Sequence, residues 1–357
     1  MKKILTPGIH WLLLFIPIAL YLEHSEASAP LIFFSAALSI VPIARLIGNS
    51  TEHLAVYTGD AVGGLLNATF GNFPELIIAV IALKAGLHSM VLASLAGAIL
   101  ANLLLASGLS FLLGGIKFHN QDYNITSIRV YSSMMMIAVI SLTIPSGFHV
   151  LTENAAIENE NTLNLYLAVV LLIGYVLYLV FMIKTHPDFF RSDNQGHEEH
   201  EEKWSIARAL ITLVIASVMA AFMSEVLVGA AEETGKVLGM SSVFIGVIFL
   251  AIVGGAAESL SAITMGAKNK MDLSIGIALG SSIQIALFIA PMLVIMSTFV
   301  GPFQMNLNFP RALIVALLLS VILAAMVAGD GRSNWYKGVQ LIIVYVIMGM
   351  MLYFIPS

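Results

Sequence analysis

Two glutamates stand where lipid would otherwise be expected. Glu75, in "LLNATFGNFPELIIAV" (65–80), and Glu258, in "FIGVIFLAIVGGAAES" (244–259), each lie inside an apolar stretch. A carboxylate at bilayer depth costs roughly 2.5–3.5 kcal/mol on insertion scales, so such residues usually mark an ion path. The neighbours of Glu75 supply more oxygen. Pro74 has no N–H to give the carbonyl of Phe70, and Gly71 lets the helix unwind beside it. Gly254 and Gly255 give the same softness ahead of Glu258 without a proline. Freed carbonyls and carboxylates together form a hard-oxygen set of the kind calcium prefers. Asn67, Asn72, Asn102, Ser281, Ser282 and Gln284 add neutral oxygens on the same or the following span, although such residues also hold helices together.

The charges suggest what the set does. Two carboxylates ~5 Å apart at an effective dielectric of about 20 repel by roughly 3 kcal/mol. Desolvation acts in the same direction, so without a cation at least one of the pair holds a proton near neutral pH. A divalent cation would expel that proton. Competition for one site is the thermodynamic basis of exchange.

The two glutamates are related by an internal repeat. Shifted by 183 residues, "GNFPELIIAVIALKAG" (71–86) lies over "GGAAESLSAITMGAKN" (254–269), matching Gly71 with Gly254 and Glu75 with Glu258. Gly97 falls on Gly280 in the same register. Upstream, "STEHLA" (50–55) resembles "MSEVLV" (223–228), which pairs Glu52 with Glu225 as candidate access points at opposite faces.

The elements that must position these residues are transmembrane helices. Hydrophobic residues make up 59% of the 357 and charged ones 10%, far from soluble proportions. Eleven apolar runs follow: 7–23, 29–47, 57–84, 88–114, 127–146, 161–184, 206–233, 240–268, 272–299, 309–328 and 334–355. The first has signal-peptide features, with Lys2 and Lys3 ahead of it and "SEASA" after, but is expected as a retained helix (1–25). The expected fold is all-α and polytopic, with five-helix repeats at 29–184 and 206–355. Five spans per copy is odd, so the second copy is inverted and the glutamates meet near the midplane.

Placing the N-terminus in the cytoplasm puts thirteen of the sixteen Lys and Arg inside, leaving Lys84, Lys236 and Arg311 outside. The C-terminus is then outside, and the plasma membrane of a prokaryote is the expected location. The polar segment 185–205 is a cytoplasmic linker. Its His197, Glu198, Glu199, His200, Glu201 and Glu202 form an acidic run that is either solvated or regulatory. No basic cluster points to nucleic acid, and the absence of cysteine leaves the redox compartment unread. Asp60, Glu232 and Glu233 lie nearer span ends, where they are expected at the interface.

At this point the residues resemble a known family. "GGLLNATFGN" (63–72) with Glu75 close behind, and "FIGVIFLAIVGGAAES" (244–259), are similar to the two signatures of the calcium/proton exchangers, the cation/proton exchanger (CAX) family of the cation/calcium exchanger superfamily. The resemblance covers nearly the whole chain. It implies an antiporter that moves calcium against protons by alternating access, with Glu75 and Glu258 as shared ligands, Asn72 in support and no tightly bound cofactor. There are departures. The second signature usually reads G-N-A-A-E-H, whereas Gly255 and Ser259 stand here for the asparagine and histidine, and Ala98 stands where serine is expected. The sodium branch uses G-T-S-x-P-E, whose hydroxyls help hold sodium. Gly71, Asn72, Gly254 and Gly255 offer none at those positions, which favours protons as counter-ion. A sodium/calcium or manganese exchanger is the alternative, a cation channel carries less weight, and an intramembrane hydrolase lacks both a cysteine and a mid-membrane histidine. Whether the chain forms a homo-oligomer stays open.

Overall fold

The computed structural model describes residues 8–151, 157–187 and 204–355. It is helical almost throughout. A 3₁₀ turn (Ile9–Leu14) leads into α1 (Phe15–His24), followed by α2 (Ala29–Phe70), α3 (Phe73–Lys84), α4 (His88–Phe118), α5 (Ile125–Leu151) and α6 (Ile157–Val180). After the linker come α7 (Ile206–Leu238), α8 (Ser242–Gly254), α9 (Ala256–Ala267), α10 (Met271–Met296), α11 (Arg311–Ala328) and α12 (Trp335–Tyr353). Among the described residues eight helices are long and apolar enough to cross a membrane, or nine if α8 and α9, bent by 63°, count as one span.

The helices that carry the two glutamates are short for a physical reason. At 1.5 Å per residue the 12 residues of α3 span only about 18 Å, little more than half of a hydrocarbon core. Pro74 sits in the first turn of α3, where its missing N–H costs nothing, so the chain breaks at Gly71–Asn72 and restarts. The second break falls at Gly255, whose φ of −79° and ψ of 13° leave the helical region. Glu75 and Glu258 therefore lie in the first turns of helices that begin at breaks within apolar stretches.

One expected boundary is absent. The polar stretch 48–56 was expected between two spans, but α2 runs through it without a break. Ser50 Oγ donates to the Leu46 carbonyl at 2.7 Å and Thr51 Oγ1 to the Ile47 carbonyl at 3.0 Å. Hydroxyls satisfied by their own helix need no loop.

At the centre stand α4 and α10, whose apolar windows are 89% and 72% buried, against 28–39% for α5, α6, α7, α11 and α12. The outer helices thus face lipid with one side and shield this pair with the other. Both central helices widen into π-helical turns, Ala101–Ala106 in α4 and Ile285–Ile289 in α10. Such turns need a local inducement, and they recur where helices bear functional groups.

Each half-helix is pinned at its far end. The α4–α5 and α11–α12 connections pair as β1 (Asn120–Asp122) and β2 (Arg332–Asn334), antiparallel, with Arg332 bridging Asp122 at 3.0 Å. Buried Gln121 reaches from this strap to the end of α9, where its amide donates to the Gly266 carbonyl and to Asn269 Oδ1, both at 3.0 Å. Gly114 makes room, since a Cβ there would meet Gln121 Oε1 at 2.0 Å. At the opposite end the loop after α10 covers the end of α3. Gly301, at φ 104°, approaches so closely that a Cβ would stand 2.9 Å from the Leu83 carbonyl. Met305 N donates to Ser297 Oγ, Leu307 N to Asn164 Oδ1 and Phe309 N to Ser146 Oγ, at 2.8–2.9 Å, which satisfies the buried backbone of this loop. Removing a buried hydrogen-bonding side chain leaves its partners unpaired at about 1–3 kcal/mol. Gln121→Ala is accordingly expected to lower the melting temperature of the purified protein in detergent; an unchanged melting curve would show that the strap does not hold α9.

Candidate functional site

Burial of the two carboxylates is the first fact of the site. Glu75 is 8% exposed, both its carboxylate oxygens are buried without a hydrogen-bond partner, and Glu258 Oε2 is in the same condition. Their position at helix N-termini offsets part of the cost, by at most about 2 kcal/mol in partly buried geometries. That is less than the 2.5–3.5 kcal/mol or more that burial demands. Each carboxyl thus needs a proton or a cation. The two are close enough for their charges to act on each other, and the charge of Glu52 also reaches Glu258.

Packing holds Glu75 against the other break. A Cβ on Gly254 would stand 2.9 Å from Glu75 Cγ, and one on Gly255 would stand 3.4 Å from Glu75 Oε1. Glycine at 254 lets the end of α8 lie directly on the glutamate. Phe70 packs against Phe73 across the first break, centroids 5.3 Å apart with the rings tilted by 60°, and its carbonyl is among the last of α2. Carbonyls at a helix end lack the partner four residues on that the helix interior supplies.

The neutral oxygens form a chain on one side only. Asn72 Nδ2 donates to Gln284 Oε1 at 2.8 Å, and Ser281 Oγ donates to Asn72 Oδ1 at 2.7 Å. Asn102 Nδ2 donates to Ser281 Oγ at 3.0 Å, and Ser259 Oγ to Asn102 Oδ1 at 3.4 Å. This chain ties the break after α2 to α10, α4 and α9. Displaced by 183 residues, Asn72, Ser281, Gln284 and Asn102 become Gly255, Ala98, Ala101 and Ile285, none with a polar side chain.

A cavity of about 340 Å³ leads to the site, lined among others by Asn72, Glu258, Ser281 and Gln284. It extends to Arg45, Glu52 and Asp272. Asp272 is in the first turn of α10, close after Lys268 and Lys270, so the cavity opens toward the end rich in Lys and Arg. Glu258 borders this space; Glu75 does not.

The sequence-derived residues thus divide. Glu75, Glu258, Asn72, Asn102, Ser281, Gln284, Gly71, Gly254 and Gly255 converge at or beside the breaks. Ser282 does not take part: its hydroxyl donates to the Ala278 carbonyl of its own helix at 2.9 Å. One residue further along α10 is about 100° further round, which turns Ser282 away from the face of Ser281. Glu52 borders the cavity, whereas Glu225 is exposed on α7 away from it. The side chain of Asn67, with His197, Glu198, Glu199, His200, Glu201 and Glu202, lies outside the described residues. Sequence reasoning missed Ser259, Asp272 and the three tyrosines Tyr131, Tyr175 and Tyr178 that wall the cavity. The only signal of the tyrosines was a polar tip on an apolar span, which every tyrosine shares, and Ser259 stood out only as a departure from the family signature.

With this geometry in place, comparisons with known proteins are specific. Residues 28–184 and 208–354 match the family described as Sodium/calcium exchanger protein. The chain is 40% identical to a Ca(2+)/H(+) antiporter of Aphanothece halophytica over 97% of its own length and 96% of that protein's. It is 43% identical to the Ca(2+)/H(+) antiporter ChaA of Bacillus subtilis (strain 168), over 89% and 91%. Among solved structures it resembles native YfkE, with a TM-score of 0.85 at 36% identity, covering 98% of this chain and 100% of that one.

Proposed function

The chain belongs to the sodium/calcium exchanger protein family, among its calcium/proton antiporters, and on that premise we propose that Glu75 and Glu258 form one site which calcium and protons occupy in turn. It is a multi-pass membrane protein that exchanges calcium for protons. The observation that carries the assignment of the site is the burial of three carboxylate oxygens without a protein partner, on two helices that both begin at breaks within apolar stretches.

The residues supply the steps. Calcium arrives through the cavity past Asp272 and Glu52, and the carboxylate of Glu258 meets it first because it borders that space. Glu75, behind it, completes the charge. Helix-end carbonyls near Phe70 and Gly254 contribute neutral oxygens, and the Asn72–Ser281–Asn102 chain holds the break in position. Protons leave the carboxylates as the cation binds and return when it departs. In the repeat, α3 is the short helix that matches α9, and α8 with α9 makes one bent span. The two repeats, 29–184 and 206–355, have opposite orientation. The matched break positions, the equal 12-residue lengths of α3 and α9, and the π turns near Ala101 and Ile285 support this repeat. The count of Lys and Arg supports a cytoplasmic position for the cavity end, so the state described is read as inward-facing, in the plasma membrane of a prokaryote.

Everted vesicles energised acid-inside are expected to accumulate calcium, to lose it when a protonophore collapses the gradient, and not to accumulate it on a sodium gradient. Flux that persists unchanged without a pH gradient would favour a channel, and flux driven by sodium would move the chain to the other branch.

A further inference from the structure

Away from both breaks, at the end of the molecule opposite the cavity, another carboxylate is buried. Glu160, in the first turn of α6, is 6% exposed. Its Oε1 accepts from two amides of the loop after α10, Asn306 Nδ2 at 3.4 Å and Asn308 Nδ2 more closely. The loop is built to present them. Burial alternates along 304–310, as in an extended chain whose side chains point to opposite sides in turn. Met305, Leu307 and Phe309 are buried, and their N–H groups are tied to Ser297, Asn164 and Ser146. Asn306 and Asn308 therefore project together toward α6. Asn164, one turn after Glu160, joins helix to loop: its Nδ2 donates to the Glu160 carbonyl at 2.8 Å, and its Oδ1 takes the Leu307 N–H at 2.9 Å.

A plain clamp does not explain the other half of each amide. Asn306 Oδ1 and Asn308 Oδ1 are both buried without a hydrogen-bond partner. A buried acceptor left unpaired is costly, and here two amides that serve one carboxylate each leave one. A half-turn of a terminal amide exchanges its nitrogen and its oxygen, which are alike in size. Both oxygens would then face the Glu160 carboxylate, an arrangement that repels itself when empty and that a hard cation would hold together.

We propose that Glu160, Asn306 and Asn308 form a second calcium site, separate from Glu75 and Glu258, which fastens the loop after α10 to α6. Calcium accepts about 6–8 oxygens in flexible geometry, so water completes the shell, whereas magnesium's stricter octahedron is poorly served by side chains from two separate elements. A single carboxylate makes the affinity weak. The half-buried asparagines give the ion its way in. The same loop covers the end of α3, where Gly301 approaches the Leu83 carbonyl, so the ion would also steady the cap of the helix that carries Glu75. On the orientation proposed above this face is the outer one, where exported calcium is met.

Calcium titration of the purified full-length chain in detergent tests the site, with Glu75→Gln and Glu258→Gln introduced together to silence the exchange site. That background should still bind one calcium, with a dissociation constant of about 0.1–1 mM. Calcium should raise its melting temperature by mass action on the folded state. Adding Glu160→Gln should weaken binding at least about tenfold and remove the calcium-dependent shift. Adding Asn308→Asp instead supplies a second charge and should tighten binding about tenfold, a gain that misfolding cannot imitate. No saturable binding in the background, or no gain in Asn308→Asp, overturns the site. So does a melting temperature that Glu160→Gln lowers equally with and without calcium, which would make Glu160 a clamp and nothing more. Magnesium as effective as calcium overturns the choice of ion. None of these measurements requires transport, so their outcome is separate from that of the exchange site.

Discussion

Glu75→Gln and Glu258→Gln are each expected to reduce proton-driven calcium uptake by about 100- to 5,000-fold, because removing one charge from a buried charge pairing costs about 3–5 kcal/mol. The amide keeps the shape of the side chain but carries no charge, and its NH₂ presents donors where the cation needs acceptors. One remaining carboxylate cannot balance a divalent ion at this depth, and the site loses half of its titratable capacity as well. Calcium uptake into everted vesicles, with the purified variant checked for a single symmetric species in detergent, measures the effect. Uptake within a factor of about ten of wild type in either variant would show that the two carboxylates do not share the load. The loss should be as deep at Glu75 as at Glu258. Only Glu258 borders the cavity, but both carry oxygens with no other partner.

The second large effect separates two adjacent glycines. Gly254→Ala places a methyl 2.9 Å from Glu75 Cγ and 3.4 Å from its Cα, so either the glutamate or the end of α8 must move. Overpacking of this kind costs typically about 1–3 kcal/mol. At a site where ion ligands must hold their positions, uptake is expected to fall at least about tenfold. Gly255→Asn should behave differently. A Cβ there stands 3.2 Å from the Ala251 carbonyl oxygen, a tight contact that asks for a shift of a few tenths of an ångström, and 3.4 Å from Glu75 Oε1, and the new amide would lie beside an oxygen that has no partner. That variant is expected to retain exchange, and the calcium concentration giving half-maximal uptake is the quantity to compare with wild type. Loss of exchange in Gly255→Asn together with normal exchange in Gly254→Ala would reverse the packing argument.

Much of this arrangement was legible in the residues alone. Glu75 and Glu258 stand out because a carboxylate is costly in lipid, and Gly71, Pro74, Gly254 and Gly255 announce breaks because they cannot sustain a helix. What was hidden depends on direction rather than type. Ser281 and Ser282 are the same residue at adjacent positions, yet one joins the chain to Asn72 and the other bonds its own helix. The run through 48–56 reads as a loop because it is polar, and it is a helix because Ser50 and Thr51 turn their hydroxyls back onto it. The tyrosines of the cavity come from α5 and α6, far in sequence from either glutamate, and no periodicity brings them there. The one-sidedness of the polar chain was half visible, as Gly255 and Ala98 where the family has asparagine and serine. The hydrogen bonds that make it one-sided were not.

The bend at Gly255 has a mechanical consequence. Because α9 is moored at its far end by Gln121, the bend acts as a fulcrum and α8 as a lever arm. Gly246 lies eight residues from Gly254, roughly 12 Å out at 1.5 Å per residue. A swing of about 10° therefore carries Gly246 about 2 Å while the glutamate at the fulcrum scarcely moves, and a gap of that size already forfeits most of the dispersion attraction between α8 and α4, which lie so close that a Cβ on Gly246 would stand 2.7 Å from Ala93 Cβ. The distance that opens a passage is thus produced far from the ion, and the ion's own ligands need not be dragged along with it.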